Sequence, residues 1–154
     1  MKSLNEEIKE IKKDKNMNEK PQEEKVEQTA YELLGGELKV RELVDLFYDR
    51  MDLDADFLVL RKLHPDNLEM SREKLFLFLS GWLGGPDLYI AQYGHPRLRA
   101  RHLPFPIGTP ERDQWVTCMA YALNDLGVTG ALFDRLMEAF YGTADWMRNR
   151  ADQS

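Results

Sequence analysis

TPERDQWVTCMAYALNDLG, running from Thr109 to Gly127, contains a helix and both of its ends. Thr109 offers a capping hydroxyl, Pro110 a φ already set for a first helical turn, and Glu111 an acid at the helix's positive end. Trp115, Met119, Ala122, Leu123 and Leu126 then recur at helical spacing, and Gly127 closes the segment. Towards the C-terminus, Thr129 can cap a helix striped by Leu132, Phe133, Leu136, Met137 and Phe140. Towards the N-terminus, Leu68, Leu75, Phe78, Leu79 and Trp82 mark a helix stopped by Gly84-Gly85-Pro86. Val40, Leu43, Val44, Phe47 and Met51 mark another. No segment alternates with period 2 as a strand would, and no internal repeat is present. The fold class is all-α.

A chain of 154 residues is long enough for a single domain with a real core. Its net charge of −6 gives no basic face for nucleic acid. One cysteine, Cys118, excludes an internal disulfide and a cysteine-cluster metal site, and fits a reducing, cytoplasmic setting. Neither an apolar run of membrane-spanning length nor a signal peptide is found. The expected product is a soluble protein with no membrane and no nucleic-acid partner.

The first 28 residues stand apart. They hold seven lysines, eight acids and no aromatic side chain. Leu4, Ile8 and Ile11 share one helical face, which is too little to bury much area, so this charged extension reads as flexible or as a frayed helix ending before Pro21. The domain proper is taken as residues 29–154.

The stretch from Gly84 to Pro110 is rich in glycine and proline, and carries Tyr89, Tyr93, His95, Arg97, Arg99, Arg101, His102 and Phe105. It reads as a long connection with little regular structure, and such loops are usually functional. Three histidines, His64, His95 and His102, cannot compose a zinc site at this spacing. A haem asks for less, since one axial imidazole can hold the iron. His102 is the best placed, because apolar neighbours could pack a flat macrocycle and arginines could pair with carboxylates.

Tyr93-Gly94-His95-Pro96-Arg97-Leu98-Arg99-Ala100-Arg101-His102-Leu103-Pro104-Phe105-Pro106-Ile107-Gly108 closely resembles the proximal region of group II truncated haemoglobins. Phe47-Tyr48, Trp82-Leu83-Gly84-Gly85-Pro86 and Glu111-Arg112-Asp113-Gln114-Trp115 resemble three further segments of that family, in the same order. The resemblance covers Tyr31 to Thr143. It implies a 2-on-2 helical sandwich around haem b, with His102 as the proximal ligand. It makes Tyr48, Trp115 and His64 the groups that hold bound ligand, and puts Ser71, Leu75 and Phe78 in the distal pocket. Arg99, Arg101, Phe105, Ile107 and Met119 are implied haem contacts, an arginine meeting a propionate. Many relatives carry glutamine where this chain has Leu75. The implied activity is binding of dioxygen and other diatomic ligands, with redox chemistry on nitric oxide or peroxide supplied by an unidentified reductase. The implied assembly is a monomer or homodimer. A carrier or sensor without turnover, and a haem-free helical interaction domain, are the competing readings.

Overall fold

The computed structural model describes Leu4 and residues 27–152. Most of the charged extension lies outside the described residues. Leu4 is itself helical and buried in the hydrophobic core. One apolar side chain of the extension therefore contributes to the domain, which the sequence reading did not expect.

In chain order the helices are α1 (Ala30–Leu34), α2 (Glu37–Leu53), α3 (Leu58–Arg61) after a short 3-10 turn at Ala55–Phe57, and α4 (Glu69–Trp82). They continue with α5 (Leu88–Tyr93), α6 (Leu98–His102), α7 (Thr109–Leu126) and α8 (Gly130–Trp146). The described residues contain no strand. Helix α2 packs against α4 on one side and α7 on the other, and α7 packs against α8. Two antiparallel pairs, α2/α4 and α7/α8, thus form the sandwich. Val40, Leu43, Val44, Phe47 and Met51 of α2 meet Cys118, Met119, Ala122 and Leu123 of α7 in the core, closed by Leu136 and Phe140 of α8. Each set occupies one face of its helix, which is why the 3.6-residue period was readable.

Local chemistry sets the ends. The α7 cap falls one residue before the expected Thr109. Gly108 is the N-cap, and its N–H donates to the Glu111 carboxylate at 3.1 Å. Thr129 occupies the N-cap of α8 without a side-chain cap bond. The turn after α4 depends on two glycines with different jobs. Gly84 takes φ 95°, a left-handed conformation that glycine adopts without strain. Gly85 lies flat against the Tyr31 ring, and any β-carbon there would collide with it. The Tyr31 N–H donates to the Leu83 carbonyl at 2.9 Å, which anchors α1 to this turn. The Gly84–Pro110 stretch is more regular than expected, because it holds the short helices α5 and α6.

Cys118 is a buried group joining α7 to α2, its thiol donating to the Phe47 carbonyl at 3.2 Å. Burial pushes the thiol pKa up to about 12, so it stays protonated and packs as a small apolar residue.

Candidate functional site: an imidazole-bearing cavity between the helix pairs

A cavity of about 420 Å³ opens between α2, α4, α6, α7 and α8. It collects residues that are far apart in sequence. Tyr48, His64, Ser71, Leu75, Phe78, His102, Phe105, Ile107 and Trp115 all line it. The remaining wall is largely apolar, including Leu60, Leu79, Trp82, Leu98, Phe140 and Met147.

His102 ends the five-residue helix α6, and Pro104 and Pro106 prevent its continuation. Its Nδ1 lies 2.6 Å from the Leu98 carbonyl one turn earlier. A carbonyl only accepts, so Nδ1 is the donor, and Nε2 is the nitrogen left to face the cavity as a ligand atom. An imidazole oriented in this way through its other nitrogen is the usual form of a metal-binding histidine. Asn149 clamps the segment from the C-terminal side, its Nδ2 donating to the carbonyls of His102 (3.2 Å) and Phe105 (2.8 Å). In return the Ile107 N–H donates to Asn149 Oδ1 at 3.0 Å.

Tyr48, Trp115 and His64 come from α2, α7 and the turn after α3. Tyr48 is buried, and burial raises its phenol pKa far above the ordinary value, opposed by the Arg72 guanidinium 5.8 Å from the ring. It is therefore a neutral hydroxyl, and no described residue hydrogen-bonds it. The indole nitrogen of Trp115 likewise has no hydrogen-bond partner among the described residues. Phe47 separates the two, its ring 5.1 Å from Tyr48 and 5.2 Å from Trp115. Phe140 supports Trp115 from α8 at 5.5 Å and stacks on Trp82 at 4.7 Å.

His64 lies edge-on to Tyr48, with ring centroids 5.8 Å apart. Its Nδ1 donates to the Leu60 carbonyl at 3.0 Å. Desolvation holds its pKa below the usual 6.5 against that hydrogen bond, with Arg61 and His102 acting in the same direction as burial. The ring is neutral at pH 7, with Nε2 as an acceptor. Arg61 fixes the loop that carries it, donating to the Pro65 and Asp66 carbonyls at 2.9 Å each and to Asp52 at 2.9 Å. Gln114 holds the same turn to α7, its side-chain oxygen accepting from the Leu60 N–H at 3.0 Å.

Three sequence-implied contacts lie outside this lining. Met119 is in the core, one turn beyond Trp115. Arg99 donates to the carbonyls of Trp146 and Arg148, and Arg101 sits over the Tyr89 ring at 5.8 Å. The cations that do line the cavity are Lys74 and Arg112, and Arg112 is tied to Asp145 at 2.8 Å and Asp113 at 2.9 Å. Sequence reasoning missed these two, and also Asn149 and Arg61. Lys74 lies one position before Leu75, so the helical register was its available signal. Arg112 and Asn149 act through partners 33 to 47 residues away that no local pattern marks, whereas Arg61 binds its own loop and Asp52, three to nine residues away.

One oriented imidazole, unpartnered donors from other helices, flat aromatic walls and lining cations together suit a haem. That constellation in a two-pair helical sandwich defines a globin. A model of the family described as bacterial-like globin matches residues 29–149, and the chain belongs to that family as a group II truncated haemoglobin. It is 40% identical over 122 residues to the group 2 truncated hemoglobin YjbI of Bacillus subtilis, covering 79% of this chain and 89% of that one. Among solved structures, the cold-adapted truncated hemoglobin of Pseudoalteromonas haloplanktis TAC125 is similar at 43% identity and TM-score 0.78. That match covers 80% of this chain and all of the other. The group II truncated hemoglobin of Bacillus anthracis is similar at 38% identity and TM-score 0.78, covering 84% and 98%. Membership of this family gives the chain haem-based binding of diatomic ligands such as dioxygen. No described helix is long and apolar enough to cross a membrane.

Proposed function

We propose that the cavity holds haem b through His102 and converts reactive diatomic or peroxidic species by redox chemistry, fed by a reductase. The supporting observation is one cavity shared by an oriented imidazole and two unpartnered donors, Tyr48 and Trp115. The haem would supply an iron that binds a diatomic ligand and exchanges electrons with it. His102 would hold the group by Nε2, while the Leu98 carbonyl keeps the ring orientation and the proton on Nδ1. Trp115 and Tyr48 would donate to a ligand that carries negative charge. His64, with Nε2 as acceptor, can take the Tyr48 hydroxyl proton in a hydrogen bond and so set which way that hydroxyl points. Leu75 and Phe78 present apolar surface and keep water out. Lys74 and Arg112 would be the propionate partners on this wall, in place of Arg99 and Arg101, to which the family resemblance points and which lie outside the lining.

A donor to a charged acceptor contributes about 1.5–3 kcal/mol. Two donors would slow ligand release by roughly 10²–10⁴ at about 1.4 kcal/mol per tenfold. Slow release suits chemistry on the bound ligand better than delivery of it. The protein works in this reading as a monomer or homodimer in the reducing cytoplasm. The test is consumption of nitric oxide or hydrogen peroxide by the purified holoprotein with an electron donor present. Turnover that Trp115→Phe reduces supports the reading. Stable ligand binding without turnover replaces it with a carrier or sensor.

A further inference from the structure

A second cavity, of about 330 Å³, shares Phe78, Trp82 and Leu98 with the first. Tyr89 and Trp146 add two more rings to its wall, and Asp87, His95, Arg97 and Arg99 add charge or polarity. Gly81 forms part of the lining and packs directly on Asp87, so that a β-carbon there would run into the Asp87 carboxylate.

The two arginines differ. Arg99 is committed: Nη1 donates to the Trp146 and Arg148 carbonyls, and its guanidinium lies 5.3 Å over the Trp146 ring. Arg97 is exposed and its side chain has no partner among the described residues. Its backbone sits at φ 46° and ψ 52°, a left-handed conformation that a β-carbon disfavours. Every other positive-φ residue described is a glycine. The strained backbone holds an unpartnered guanidinium at the edge of an aromatic cavity, where it is free to meet a ligand. Aromatic walls accept a flat apolar body, and a guanidinium matches a carboxylate in two parallel hydrogen bonds. Two arginines against one aspartate favour an anion, and Asp87 disfavours a second negative charge on it.

We propose that this second cavity binds a small aromatic monocarboxylate, its ring among Trp82, Tyr89 and Trp146 and its carboxylate on Arg97. Leu98 links the two sites, because it lines both cavities and its carbonyl holds His102 Nδ1. Occupancy of the second site therefore shifts the imidazole that faces the first. That coupling rests on the haem reading, whereas binding of the carboxylate does not.

Benzoate is the probe and benzyl alcohol its uncharged counterpart, each titrated calorimetrically into holoprotein in the ferrous carbonmonoxy form. Carbon monoxide keeps the carboxylate off the iron. The expected result is one benzoate per chain, with benzyl alcohol at least tenfold weaker. Arg97→Gly and Arg97→Asn suit the left-handed backbone better than arginine does. Both should weaken benzoate at least tenfold with an equal or higher melting temperature, and Arg97→Lys should weaken it less. Equal binding of acid and alcohol, no saturable binding, or full affinity in both Arg97 variants overturns the site. Saturation should also shift the visible absorption band of the wild type. Binding without that shift overturns the coupling through Leu98. Failure to take up haem would refute the proposed function, and calorimetry on the purified full chain would still decide the carboxylate site.

Discussion

Replacing Trp115 by phenylalanine removes one donor from the cavity and leaves an aromatic ring between Phe47 and Phe140. The indole N–H has no hydrogen-bond partner among the described residues, so a bound ligand gains its whole effect, about 1.5–3 kcal/mol for a charged acceptor. That corresponds to oxygen dissociation faster by roughly 10- to 100-fold at about 1.4 kcal/mol per tenfold. Tyr48 is placed differently. Its hydroxyl can rotate, and His64, edge-on at 5.8 Å, offers Nε2 as a competing acceptor because Nδ1 is committed to Leu60. An ordinary neutral hydrogen bond contributes about 1 kcal/mol. Tyr48→Phe should therefore accelerate oxygen release about fivefold less than Trp115→Phe. Bound carbon monoxide carries much less charge, and its release should change far less in both variants. The assay is stopped-flow dissociation of the two gases from wild type, both single variants and the double. Phe47 touches both rings, so the double variant should be non-additive. Equal acceleration of oxygen and carbon monoxide would mean that Trp115 acts by filling space, and the hydrogen-bond reasoning would be refuted.

His102→Ala should purify with little haem and a lowered melting temperature, while His95→Ala, which lies outside the first cavity, should keep both; equal haem content in the two variants reverses the assignment. Burial of His64, with Arg61 and His102 adding to it, places its folded pKa below 6.5, so at mildly acid pH the unfolded chain binds the extra proton. Stability is then full above 6.5 and declines as pH falls below it, which thermal melts of wild type against His64→Phe will show as a slope that the variant flattens. Phe140→Ala should cost about 3–5 kcal/mol, since it empties a site packed by Trp82 and Trp115. Calorimetric melting should show a drop of roughly 6–20 °C at about 2–4 °C per kcal/mol. A smaller drop would mean that the cavity collapses around the missing ring.

The sequence by itself determined the helices that bury one face. Val40, Leu43, Val44 and Phe47 repeat every 3.6 residues, and so do the residues of α7, because one stripe of each helix meets the same core. It also determined the breaks, since Gly84, Pro86, Pro104 and Pro106 act through their own backbones. The family likeness around His102 named the axial histidine because it lies in a contiguous motif. Helices α5 and α6 were not legible, since six and five residues are too short to display a period. Burial of Leu4 was not legible either, because its neighbours in sequence are polar or charged and only the folded domain offers it a core. The tertiary structure decided the rest. It set Arg112 and Lys74 on the cavity wall, turned Arg99 towards the C-terminal carbonyls, and tied His102 to Asn149 across 47 residues. Hydrogen bonds of that separation leave no local pattern, because each partner is chosen by where the chain returns in space.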